Sequence, residues 1–349
     1  MTESSPDLLL PWQQESWQQL QQMRARLPHA ILFHGAEGSG KVDFAEAFAQ
    51  SLLCEAPRAD GHACGQCGSC GWFAQHNHPD YRRVRPEFLD GEMAADDAEG
   101  GEEKKGAKVS KVPSKEIKID QIRALADFMN ISTHRAGMRV VLLYPAEALN
   151  VAASNALLKT LEEPPPATVF LLVTHRIDRL LPTVLSRCRK FALHAPDTAQ
   201  ALAWLKTQGV KDADAWLAEQ GGAPLLALAA AQTGGNEVME ELLRHLAHPG
   251  IDGALKTAER LHKTPAPELV GWMQRWSYDL LSLKATGILR YYPRYRKQLQ
   301  ALANRADTLA LTRSLKAIND RSAIASHPLS AKLFVEDMLL DYVAVFEQE

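Results

Sequence analysis

Three groups of residues in this chain have the types and spacing to do chemistry. Cys54, Cys64, Cys67 and Cys70 make two overlapping C-x-x-C steps with a fourth thiol just upstream. The intervening glycines let the backbone fold round so that the sulfurs converge, and four thiolates suit a closed structural zinc site with Zn–S distances of about 2.3 Å. A redox dithiol is the alternative, but three thiols at this spacing with a fourth upstream fit a metal better than a pair in exchange. His62, His76 and His78 could replace one thiolate and are otherwise structural or surface residues. The second group is Gly35-Ala36-Glu37-Gly38-Ser39-Gly40-Lys41, a G-x-x-x-x-G-K loop between a strand and a helix. Backbone N–H groups around Gly35, Gly38 and Gly40, together with Lys41 and the helix amino terminus, favour a phosphate. The next residue should carry a hydroxyl for Mg²⁺, and it is Val42. The third group is Thr174 with Ser186-Arg187-Cys188. In a parallel sheet the working residues gather at the carboxyl ends of strands, so these four are expected there.

The elements that must position these groups follow from periodicity. Thr168–Thr174 is an uninterrupted apolar, β-branched run, as in a central parallel strand covered on both faces. Shorter runs at 30–34, 82–84, 139–143 and 190–193 supply further strands. Between them lie helices at 12–26 with Trp17, Leu20 and Met23 buried, at 43–53, and at 121–130 with Ile122, Leu125, Ala126 and Met129 inward. Another runs from 155 to 163 and is stopped by Pro164-Pro165-Pro166. After residue 195 the strand signal ends. Helices at 199–208, 212–220 and 223–232 form a compact lid, a Thr-Gly-Gly-Asn hinge follows, and amphipathic helices at 237–247, 254–262, 266–285, 294–311 (broken in the middle) and 329–346 complete the chain. Trp272, Trp276, Leu280, Leu283, Leu333, Phe334 and Met338 are expected in their seams. Residues 88–116, rich in Glu, Asp, Lys, Gly and Ser, read as a solvated insertion.

Composition narrows the function classes. The 349 residues suffice for two or three domains. A formal charge of −3 argues against coating nucleic acid by bulk electrostatics. The amino terminus lacks the pattern of a secretory signal, no apolar run approaches a membrane span, and clustered cysteines point to the reduced cytoplasm. One basic cluster, Arg290-Tyr291-Tyr292-Pro293-Arg294-Tyr295-Arg296-Lys297, interleaves cations and aromatics as a nucleic-acid site would. A helix junction with snorkelling side chains explains it equally well and is preferred.

NALLKTLEEPP, then an apolar strand, then SRC resembles the clamp-loader subunits of the AAA+ class. The cysteine cluster and Asn77-His78-Pro79-Asp80-Tyr81 belong to the same resemblance. It implies an AAA+ P-loop-type α/β core over 1–195 with an inserted zinc module at 54–72, a helical lid over 196–236 and an all-α collar over 237–349. In that family the arginine of SRC, here Arg187, reaches a neighbouring subunit's ATP site. Measured against the family pattern, the Asp-Glu pair that holds metal falls on Tyr144-Pro145, and a lid arginine falls on Leu225. With Val42, three groups needed for metal-assisted phosphoryl transfer are missing together, so no intrinsic ATP hydrolysis is expected, while nucleotide binding at Lys41 and Thr174 stays open. Glu147, on the turn after the third strand, is expected to point elsewhere; if it rescued metal binding, the chain would be an active motor. The resemblance implies a stator within a DNA polymerase holoenzyme, partnered by motor subunits, a clamp-opening subunit and, through the assembly, the sliding clamp and primer–template DNA. A zinc-stabilised DNA-binding module without a ring is the reading from a different class.

Overall fold

The computed structural model describes residues 9–89, 113–130, 133–134, 137–325 and 330–347. Most of the expected insertion, 90–112, lies outside the described residues. The chain forms two compact units, Met1–Asp197 and Thr198–Glu349.

In the first unit the elements run α1 (Gln14–Gln22), β1 (Ala30–His34), α2 (Lys41–Leu53), α3 (Gly68–Ala74), β2 (Tyr81–Val84), α4 (Ile119–Asn130), β3 (Arg139–Leu143), α5 (Val151–Glu162), β4 (Thr168–Thr174), α6 (Pro182–Leu185) and β5 (Arg189–Ala192). The strands form one sheet in the order β2-β3-β4-β1-β5, and every pairing is parallel. All loops that follow strands therefore open on one edge of the sheet and all loops that precede strands on the other. Alternate strand residues feed two cores. Ile31, Phe33, Val140, Leu142, Leu171 and Val173 pack with Phe44 and Phe48 of α2 and with Trp17 and Leu20 of α1. Leu32, Val141, Leu143, Phe170 and Leu172 pack with Leu157 and Leu161 of α5 and with α4 on the opposite face. Burial on both faces is why these strands are apolar runs instead of alternating patterns.

Three details differ from the expectations. In α4 the inward residues are Ile122, Leu125 and Phe128, with Met129 partly buried and Ala126 turned to solvent; the bulkier Phe128 takes the stripe that Ala126 could fill less well. Helix α5 begins four residues earlier than periodicity suggests, because Asn150 caps it through the N–H of Ala153 at 2.9 Å. The two described ends of the 88–116 insertion meet, with the Phe88 N–H donating to Ser114 O at 3.2 Å and Lys118 paired with Glu87 at 2.9 Å.

The second unit contains α7 (Thr198–Thr207), α8 (Ala213–Glu219), α9 (Pro224–Thr233), α10 (Glu237–Ala247), α11 (Ile251–Leu261), α12 (Ala266–Thr286), α13 (Arg296–Arg305), α14 (Thr308–Ile324) and α15 (Ala331–Ala344). A small core around Leu205, Leu217 and Ala227 holds α7 to α9. A larger one around Trp276, Leu280, Tyr342 and Met338 holds the rest. Helix α14 extends well beyond the 294–311 segment expected from periodicity and is a separate element. Asp307 starts it by accepting from the N–H groups of Leu309 and Ala310 at 2.8 and 2.9 Å. Leu333 does not enter a seam and is 65% exposed; α15 buries Val335, Met338, Leu339 and Tyr342, one face at i, i+3, i+4 and i+7.

Part of the basic cluster is engaged within this unit, while Arg290, Arg296 and Lys297 are exposed. Asp279, fully buried, accepts from the backbone N–H groups of Arg290, Tyr291 and Tyr292. Arg294 pairs with buried Glu219 at 2.9 Å and stacks over Trp216 at 4.1 Å. Desolvation pushes Glu219 up to about 7, with Arg294 opposing.

Candidate functional site

The parallel sheet divides the predicted site residues between its two edges. At the carboxyl edge, β1 delivers the 35–41 loop into the amino terminus of α2. Gly40 has φ +82°, and a Cβ there would meet Leu10 Cδ1 at 2.3 Å and Gln13 Nε2 at 2.8 Å, so only glycine fits. Gln13 donates to Gly40 O at 2.7 Å, and Trp12 Nε1 to Ser39 O at 3.0 Å. Lys41, only 2% exposed, donates from Nζ to Ala36 O within the loop. Burial pulls its ammonium down to about 8, against the opposing pull of Glu147 and Glu37.

In register with His34 of β1 lies Thr174 of β4. Thr174 Oγ1 donates to Glu147 Oε2 at 2.7 Å, and the His175 N–H donates to Glu147 Oε1 at 3.0 Å. Glu147 thus turns inward to the strand end, contrary to the expectation that it points elsewhere. The short 3₁₀ turn Ala146–Ala148 after β3 aims it there. Burial, with Lys41 adding to it, holds His175 below the usual imidazole range. Tyr144, where the family pattern has a metal-binding carboxylate, packs beside the first core and accepts from Arg85 Nη1 at 3.2 Å. Neither Val42 nor Pro145 has a side-chain oxygen.

Ser186-Arg187-Cys188 is not at this edge. The tripeptide immediately precedes β5, and β5 is parallel to β1, so it sits at the amino edge. β1 is five residues long, which at about 3.3 Å per residue separates the two edges by about 16 Å. The chain spends residues 175–188 returning from the end of β4 to the start of β5. The expectation of a carboxyl-edge position fails because the tripeptide leads into a strand, and the direction in which β5 runs beside β1 decides the edge. Arg187 Nη1 donates to Thr183 O at 2.8 Å and lies 3.4 Å from Ser186 Oγ, and Nη2 is paired with Glu162. Ser186 Oγ donates to Thr183 O at 3.0 Å. Cys188 lies buried in the second core, where desolvation pushes its thiol up to about 11.

The cysteine cluster forms at the end of α2. The ligand atoms of Cys54, Cys64, Cys67 and Cys70 all lie within 4.8 Å of one another, and none of the four is in a disulfide. The Cys54–Cys67 and Cys64–Cys70 sulfur separations are each 3.9 Å; a tetrahedral Zn–S₄ centre requires about 3.8 Å. Backbone N–H groups of Cys64, Cys67 and Cys70 point at the sulfurs of Cys54, Cys64 and Cys67 at 3.2 to 3.4 Å, the partners that anionic thiolates need. The donor set fits zinc as a structural site. The histidines serve the surroundings: His62 stacks on Trp17 at 4.4 Å, while buried His78 joins Ser69 of α3 at 3.1 Å and accepts from the Asp80 N–H. That pair of bonds explains the Asn-His-Pro-Asp-Tyr segment, which ties the cluster's helix to β2. Among the described residues, no helix is long and apolar enough to cross a membrane.

A protein-family profile described as "DNA polymerase III, delta subunit" matches residues 12–197. The DNA polymerase III subunit delta' of Pseudomonas aeruginosa is 37% identical over 289 residues, covering 80% of this chain and 79% of that protein. The subunit of the same name from Escherichia coli K12 is 31% identical over 278 residues, covering 78% and 75%. A solved gamma subunit-related protein of DNA polymerase III from Thermotoga maritima aligns with 96% of this chain and 100% of its own, at 19% identity and a TM-score of 0.44. On the strength of the profile and these relatives, the chain belongs to the DNA polymerase III delta' subunit family.

Proposed function

We propose that this chain is the non-hydrolysing stator of a clamp-loader ring, lending Arg187 to the ATP site of the adjacent motor subunit while the sliding clamp is loaded on primed DNA. The observation that carries this reading is the division between the sheet's edges. Arg187 lies at the amino edge, opposite the chain's own phosphate loop, which it therefore cannot serve. Within its own chain Arg187 makes a partly exposed ion pair with Glu162, a contact of small worth to stability, and the rest of the guanidinium is open to another molecule. The carboxyl edge supports the other half of the reading. Val42, Tyr144 and Pro145 offer no carboxylate or aliphatic hydroxyl for magnesium, Leu225 replaces the lid arginine, and Glu147 is engaged by Thr174 and His175.

In the neighbour's site, water attacks the γ-phosphorus and the bond to the β–γ bridging oxygen breaks, spreading negative charge over the phosphoryl oxygens. A guanidinium fork meets such oxygens with paired hydrogen bonds, and an arginine supplied in trans is worth about 10³–10⁵ in rate in comparable systems. Cys54, Cys64, Cys67 and Cys70 would hold a zinc ion whose contribution is structural. The partners are motor subunits of the gamma/tau type and the clamp-opening delta subunit, with sliding clamp and primer–template DNA reached through the complex. Residues 1–195, 196–236 and 237–349 act as core, lid and collar.

The test is reconstitution with the motor subunits. Arg187→Ala should assemble normally and lose the share of DNA- and clamp-stimulated ATP turnover that belongs to the site it serves. Wild-type turnover in that complex would overturn the reading.

A further inference from the structure

The geometry points to Glu162 as the positioning residue for Arg187. Resting on the reading of Arg187 as a cation lent to a neighbour, it adds what aims that cation. An arginine on a surface turn samples many rotamers, and its planar fork is useful only if held in one of them. Here three groups from two elements grip the guanidinium: the Glu162 carboxylate at one nitrogen, Thr183 O and Ser186 Oγ at the other. The side chain remains 31% exposed, so part of it still faces outward.

Two further features set Glu162 apart from an ordinary surface partner. It is the last residue of α5, where a carboxylate opposes the negative end of the helix dipole, so the position is unfavourable unless a cation sits beside it. The proline run beginning at Pro164 ends the helix directly afterwards, which fixes the Glu162 backbone at the amino edge. A half-exposed ion pair adds little to stability, and Glu162 is 50% exposed. What the pair does is set direction.

The experiment uses the complex reconstituted with motor subunits, DNA and clamp, and reads kcat and KM for ATP separately. Glu162→Ala should lower stimulated kcat at the site served by up to about a hundredfold, the scale of a misplaced reacting group, with KM, assembly and melting temperature unchanged. Glu162→Asp should restore part of it. In an Arg187→Ala background, Glu162→Ala should have no further effect. If Arg187→Ala lowers kcat and Glu162→Ala does not, the positioning role falls while the arginine reading stands. If Arg187→Ala itself has no effect, the arginine reading falls and takes this one with it. A rise in kcat with Glu162→Ala would make the pair a brake, and an equal loss in the Arg187→Ala background would place the effect elsewhere; either overturns the proposal.

Discussion

The two edges of the sheet are built from the same parallel strands and have diverged in chemistry. The carboxyl edge keeps the backbone form of a phosphate site, with Gly40 in the left-handed region and Lys41 behind the loop, yet Lys41 is bonded to Ala36 O and Glu147 to Thr174 and the His175 N–H within the chain. The amino edge has no such loop, yet it presents a cation fixed by residues 25 positions apart in sequence. A loop's shape and a site's chemistry are separable: glycine geometry depends on packing against Leu10 and Gln13, whereas metal chemistry depends on oxygens at positions that packing leaves free to change.

The comparison can be broken most readily at the amino edge. Arg187→Lys should lose nearly as much stimulated turnover in the reconstituted ring as Arg187→Ala, because an ammonium cannot reproduce the planar fork; full activity in the lysine variant would reduce the role to bulk charge. Next in size is the metal. Purified protein should contain one zinc per chain by elemental analysis, and Cys67→Ser should lose it and melt on the order of 5–10 °C lower, with the second unit's unfolding unaffected. At the carboxyl edge the effects should be smaller. Lys41 has a folded pKa of about 8, below the ordinary lysine value, so the unfolded chain binds more protons between the two values. Stability should therefore rise as pH climbs from about 8 toward about 10.4, and Lys41→Met should flatten that part of the profile in chemical denaturation. The smallest effect expected is none: Lys41→Ala should leave the assembled ring's ATP turnover unchanged, and the isolated chain should show no turnover with or without it. A clear drop would mean that the 35–41 loop takes part in turnover.

Much of this arrangement is legible in the sequence, and the gaps have physical causes. The 168–174 strand, the phosphate loop and the cysteine spacing are local patterns, so they can be read from neighbours in the chain. The edge on which Arg187 lies depends on β5 pairing with β1, a contact across more than 150 residues that no window contains. Glu162 as its partner, and Glu147 turned onto Thr174, are invisible for the same reason. Leu333 and Ala126 were misplaced because a helix of mixed apolar residues offers more than one possible stripe, and tertiary packing chooses among them. Asp307 and Asn150 were present as capping residues and would have found the start of α14 and the true start of α5.

The junction between Phe88 and Ser114 has a practical corollary. Since those backbones are already bridged and Lys118 clasps Glu87, whatever chain departs there rejoins the core at the point it left. Closing such a detour costs only about 0.6 kcal/mol for each doubling of its length, so evolution or an engineer can lengthen, shorten or label it while the strands on either side keep their register.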